Sequence, residues 1–135
     1  MPFTGNFSCN VFKTGLLDGA SSFSSGTFKI ALYTNAASLN ENTTAYTADG
    51  EVVASGYTAG GEIITPTVSS SGVVSFVTFT NATWSGAFTA RGALIYKVSG
   101  PAICVLDFGA DRTSTTQFQV QFPPATADSA ILRIS

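Results

Sequence analysis

The stretch from Val73 to Phe108 constrains the fold of this chain more than any other. It holds three apolar runs of strand length, Val73 to Phe79, Gly92 to Val98 and Ala102 to Phe108. Each is rich in β-branched and aromatic residues and bounded by Gly, Ser, Asn or Pro, so the block reads as three consecutive strands. The only tryptophan, Trp84, falls between the first two. No other part of the chain is as continuously apolar, and the flanking segments are therefore expected to cover this block.

Before it, Asn10 is placed to cap a short helix over Val11 to Ala20, with Phe12, Leu16 and Leu17 forming one apolar edge and Gly19 near its end. Gly15 weakens that helix by about 1 kcal/mol relative to Ala. Ser21 to Gly26 is a Ser-rich loop around Phe23. Thr27 to Thr34 alternates, Phe28, Ile30 and Leu32 against Lys29, Ala31 and Tyr33, which predicts a strand in a sheet with one covered face. A turn of helix is expected over Leu39 to Tyr46 and a short strand over Glu51 to Ala54. Gly56-Tyr57-Thr58-Ala59-Gly60-Gly61 has three glycines around one tyrosine, the composition of a loop with positive φ. Glu62 to Thr65 resumes a strand that Pro66 interrupts and that Val68 continues at an edge or bulge.

Ser99-Gly100-Pro101 is a tight connection, which makes Leu94 to Val98 and Ile103 to Phe108 a hairpin. Gln117 to Phe122 alternates strictly, with Phe118, Val120 and Phe122 on one face, until Pro123-Pro124 stops it. Ala130 to Ile134 reads as a last short strand with Leu132 and Ile134 inward. Short strands at short spacing with one helix predict an all-β chain, an antiparallel β-sandwich or jelly-roll-like barrel with one short N-terminal helix. At 135 residues this is one domain, with 1–26 as arm and helix and 27–135 as β core. Trp84, Phe76, Ile95, Val105 and Phe28 are expected to share its core.

The residues capable of chemistry are few. The chain has no histidine, which excludes Ser-His-Asp and Cys-His nucleophile activation and His-containing metal sites. Cys9 and Cys104 lack Cys-x-x-Cys spacing, and no phosphate-binding Gly-x-x-x-x-Gly-Lys run occurs. Cys104 reads as a small buried hydrophobe. A Cys9–Cys104 bridge is sterically open, but the absence of a signal-peptide pattern favours synthesis in a reducing cytoplasm. Asp107-Phe108-Gly109 spells a kinase metal motif without the other kinase elements, and reads as a polar strand end followed by a turn. Glu51, Glu62, Asp107 and Asp111 are the carboxylates that a paired-acid or calcium site would need; carboxylates at strand ends are usually solvated. The six cations are scattered and the net charge is −2, which argues against nucleic-acid binding. No apolar run is long enough to cross a bilayer as a helix. No cofactor, metal or catalytic residue is expected. Only 10% of residues are charged, a poor guard against association, and the chain is accordingly read as part of an assembly. A Thr-rich β-surface that resists aggregation by itself is the competing reading.

Trp84 fits a core plug and, exposed in a loop, a stacking or anchoring residue; the core reading is preferred. Arg91 precedes a strand, where it bonds a neighbouring turn or carboxylate, or faces a partner. Several words, Phe28-Lys29-Ile30-Ala31-Leu32-Tyr33-Thr34, Thr44-Ala45-Tyr46-Thr47, Gly56 to Gly61, Thr83-Trp84, Thr89 to Tyr96 and Asp107-Phe108-Gly109, occur in this order. In them the chain resembles a family of small tailed-bacteriophage virion proteins, over nearly its whole length. The resemblance implies a non-enzymatic virion structural protein made in the host cytoplasm, a capsid decoration (cement) protein or a tail accessory subunit. Its implied partners are major capsid or tail proteins and copies of itself, with no nucleic acid and no membrane. The alternative is a receptor- or glycan-binding module of a tail fibre. Phe3 and Phe7 in the arm and Tyr57 in the glycine-rich loop are the candidate interface anchors, being large aromatics outside the strands. The competing expectation is that all three fold back onto their own domain.

Overall fold

The structure, a computed structural model, describes residues 7–19, 22–23, 26–122 and 132–134, with Phe7 and 132–134 described by their backbone alone. Its strands are β1 (Phe7–Ser8), β2 (Phe28–Tyr33), β3 (Glu62–Ile64), β4 (Pro66–Ser71), β5 (Val74–Phe79), β6 (Ala82–Ser85), β7 (Thr89–Lys97), β8 (Ala102–Thr113), β9 (Gln117–Val120) and β10 (Leu132–Ile134). One helix, α1 (Asn10–Asp18), follows β1. The strands form a five-stranded sheet in the order β1-β8-β7-β2-β3, a three-stranded sheet β10-β5-β4 and a two-stranded sheet β6-β9. Every pairing is antiparallel, so the expected all-β, sandwich-like class holds.

The centre is the β7–β8 hairpin flanked by β2. Opposed residues of an antiparallel pair lie on one face. Phe28, Ile30 and Leu32 stand opposite Lys97, Ile95 and Ala93, while Lys29, Ala31 and Tyr33 stand opposite Tyr96, Leu94 and Gly92. Ile30, Ala31, Leu32, Tyr33, Leu94 and Ile95 are all fully enclosed. Both faces of the sheet are therefore covered, not one as the alternation of Thr27 to Thr34 suggested. Phe23, between α1 and β2, packs its ring on Phe12, Phe28 and Phe79, and so ties the helix and two sheets together.

Local chemistry explains most element ends and several departures from expectation. α1 is capped by Cys9 in extended conformation with no side-chain bond, whereas Asn10 is already helical and donates from Nδ2 to Asn42 Oδ1. The helix stops at Gly19, which is left-handed at φ 87° and spares a side chain the strain. Phe12 and Gly15 form its buried side, while Leu17, 91% exposed, stays at the surface. Residues 39–46 form turns rather than helix, and Glu51 to Ala54 contributes only a Tyr33–Glu51 bridge.

The three apolar runs are strands, but not three consecutive ones: β6 falls between the first two, and only β7 and β8 pair with each other. β5 belongs to the three-stranded sheet, and Trp84 lies within β6, opposite Phe118, rather than in a loop. Trp84, Phe28, Ile95 and Val105 do share one core. Phe76 is buried outside that cluster, beside α1, because its sheet faces the helix there. β8 runs past Asp107 to Thr113, so Asp107-Phe108-Gly109 is a mid-strand irregularity and not a strand end; Gly109, at φ 84°, takes up the distortion. The expected inward side chains of Leu132 and Ile134 lie outside the described residues, although the β10 backbone pairs with β5.

Candidate functional site

Polar chemistry concentrates in the excursion between β2 and β3. The chain has four tyrosines, and every one of their hydroxyls donates to an acceptor within residues 47–60. Tyr46 Oη and Tyr57 Oη each donate to Glu51, to Oε1 and Oε2, both at 2.5 Å. Gly60 N–H donates to the same Oε2 at 2.8 Å. Tyr33 Oη donates to Thr47 O and Tyr96 Oη to Gly60 O, both at 2.6 Å. Tyr57 Oη also accepts from Leu32 N–H at 3.0 Å, which binds the loop to the central sheet.

Glu51 is thus a buried carboxylate, 7% exposed, whose oxygens are occupied by three donors. Such a group organises a loop; it has no free oxygen directed at a substrate. Burial raises the hydroxyl pKa of all four tyrosines above the ordinary phenol value, and the proximity of Glu51 raises each further. The glycines make the excursion possible. Gly56, Gly60 and Gly61 have φ of 92°, 94° and 84°, as their composition predicted. A Cβ on Gly61 would sit 1.9 Å from Ile30 O, so only glycine allows the loop to lie against β2.

Arg91 and Asp107 are similarly committed. Arg91, at the β7 irregularity, donates from Nε to Asp107 Oδ1 at 3.1 Å, choosing the carboxylate among the expected alternatives. Gly109 N–H bonds the same oxygen at 2.8 Å; that bond, and then Arg91, hold the Asp107 carboxyl below its usual range. Glu51, Glu62, Asp107 and Asp111 do not assemble, and among the described residues no group of three or more potential ligands could hold a metal. Cys9 and Cys104 are buried free thiols; burial pushes Cys9 up to about 11 despite Lys13, and raises Cys104 as well. Ser114 Oγ is held between Gly86 O and Phe88 N–H, with no base beside it.

The expected anchors are not brought together. Phe3 lies outside the described residues. The Phe7 backbone pairs with Val105 at the edge of the central sheet. Tyr57 requires a correction: it is 8% exposed, stacked near Trp84 and edge-on to Phe88, so it belongs to its own core and is not a free anchor. The signal missed was the pairing of its hydroxyl with a glutamate six residues earlier, a contact that appears only once the loop is folded.

What the surface does present is aliphatic. Leu17, Val53, Ile63, Val68 and Val73 are each more than half exposed. Beside α1 and the β4–β5 hairpin lies a cavity of about 440 Å³, lined chiefly by Phe12, Leu16, Leu17, Phe23, Val68 and Phe76, with Lys13 the one charged residue among the described lining. Among the described residues no helix is long and apolar enough to cross a membrane. Fold and site together define an all-β, sandwich-like domain with a tyrosine-clamped loop and a largely apolar flank. The chain matches no protein-family model, no curated protein and no solved structure.

Proposed function

We propose that the protein is a non-enzymatic structural component of a tailed-bacteriophage virion, a capsid decoration or tail accessory subunit, that acts by protein–protein assembly. The observation that carries the reading is the exposed aliphatic flank formed by α1 and the β4–β5 hairpin, with Leu17 91%, Val68 61% and Val73 88% exposed. Exposed apolar patches of this kind mark contact surfaces on proteins that do not remain free. The phage-like words quoted above supply the setting, and the internal commitment of Glu51, Arg91, Asp107 and Ser114 agrees with a scaffold rather than a catalyst. The glycan-binding alternative is weakened because Trp84, the residue best suited to stack on a sugar, is 2% exposed.

The test is removal of Met1 to Phe7, the segment whose last residue pairs with β8. The account expects a truncated chain with a native β-type circular dichroism spectrum that no longer incorporates into particles. Normal incorporation of the folded truncation would reject the arm as an anchor. Incorporation that also survives Leu17→Lys with Val68→Lys would reject the flank.

A further inference from the structure

The outer edge of β4 has the chemistry of a strand-addition site, and its hydrogen-bonding groups can be assigned. β4 and β5 are joined by the two-residue turn Gly72-Val73, with Gly72 at φ 62° and Val73 at negative φ, the pattern of a type II′ hairpin. Such a turn closes on a hydrogen-bonded pair, here Ser71 with Val74. The register then runs without a bulge, so the bonded pairs alternate as Ser71–Val74, Ser69–Phe76 and Thr67–Thr78. The Thr80 N–H bond to Thr65 O, at 3.1 Å, has the same parity and confirms it. The N–H and C=O groups of Val68 and Ser70 therefore point away from β5. Pro66, which has no N–H, occupies the next outward position.

Exposed edges are usually blunted by charge, bulge or brevity. β3 is three residues long and carries Glu62. The outer half of β8 is distorted at Gly109, and Arg112 Nη2 donates to Phe108 O. β4 has none of these devices over Val68 to Ser71, and among the described residues no strand pairs with its outer side. The segment from Thr67 to Val73 is exposed, so the hairpin stands clear of the body.

We propose that β4 pairs antiparallel with β4 of a second copy of this chain about a two-fold axis at Ser69. In that register Val68 meets Ser70 of the other copy twice, giving four main-chain hydrogen bonds, and Pro66 meets Gly72, where its missing N–H is not required. A strand without charges opposes itself without like-charge repulsion, which is what selects a second copy as occupant. Pairing also extends the sheet face that carries Val68, and so covers part of the apolar cavity beside α1. This inference does not rest on the virion reading, since it concerns the purified chain in solution.

The experiment is sedimentation analysis of the full chain across the micromolar to millimolar range, with two variants. The wild type is expected to pass from monomer to dimer. Ser70→Pro removes one outward N–H without touching the bonds to β5, and is expected to abolish the dimer while keeping the native spectrum. Ser69→Cys, with oxidised glutathione as oxidant, is expected to form a disulfide dimer much faster than Val53→Cys, a site 95% exposed elsewhere on the surface. The thiols exchange with the glutathione disulfide and release two reduced glutathiones for each bridge formed. A wild type that remains monomeric, a folded Ser70→Pro that still dimerises, or equal crosslinking at both cysteines would each overturn the proposal. Pairing of β4 with a strand of a different protein while the purified chain stays monomeric would also overturn it.

Discussion

Replacing Glu51 by Ala should be among the most damaging single changes to this fold, although Glu51 lies in an excursion and not in a named strand. The carboxylate accepts from Tyr46, Tyr57 and Gly60, and its removal leaves the Tyr57 hydroxyl and the Gly60 N–H enclosed without that acceptor. A buried polar group left unpaired costs about 1–3 kcal/mol. Two of them give about 2–6 kcal/mol, reduced by the relief of a buried charge and by water entering beside half-buried Tyr46, so a net loss of about 3 kcal/mol is expected. Glu51→Gln keeps one acceptor and the volume, and should lose only about 1–2 kcal/mol. Equilibrium urea unfolding reads this directly. With a slope of about 2 kcal/mol/M, Glu51→Ala should lower the midpoint by about 1.5 M with the slope unchanged. A Glu51→Ala protein within about 0.5 kcal/mol of wild type, the range of ordinary surface substitutions, would refute the clamp.

The remaining predictions concern the same network and its surroundings. All four tyrosine hydroxyls have pKa values raised by folding, so their stabilisation is complete below the ordinary phenol value and is lost as pH climbs from there toward the raised folded values. Tyrosinate absorbance should accordingly appear together with loss of β structure, and titration of native protein with ordinary phenol behaviour would count against it. Gly61→Ala should destabilise by about 4 kcal/mol or more or prevent folding, since its Cβ would meet Ile30 O at 1.9 Å; a soluble, normally melting variant would show that the loop does not lie against β2. Asp107 has a lowered carboxyl pKa, so its contribution is present above the ordinary Asp value and disappears as pH falls through the lowered one. Asp107→Asn should therefore flatten the acid limb of the stability profile, and an unchanged limb would remove Asp107 from the account.

Much of the architecture was legible because strand signals are local. Alternation, β-branched runs and turn residues marked β2, β5, the β7–β8 hairpin and β9, and Gly19 marked the end of α1. The three loop glycines announced positive φ at Gly56, Gly60 and Gly61 for the same reason: each conformation depends on the residue itself. What could not be read was set by contacts distant in sequence. Tyr33 and Ala31 look like an outward face until residues 46–60 close over them. Tyr57 looks like a free loop aromatic until its hydroxyl donates to Glu51 and accepts from Leu32 N–H. Phe76 is as apolar as Ile95, yet it lies outside the main core that Val77 and Phe79 of its own strand enter, a division set by how β5 packs. The free edge of β4 is likewise a property of the register to β5 and not of the residues Val68 to Ser71 alone.

Assembly into a virion is the central functional claim, and composition of the particle tests it most directly. Quantitative mass spectrometry of gradient-purified particles, calibrated against the major capsid protein, measures whether the chain is present and in what ratio. The account predicts a fixed, reproducible copy number that survives high-salt washing, as expected for a contact made by apolar rather than charged groups. A chain that is abundant in infected cells yet absent from the purified particles would contradict it.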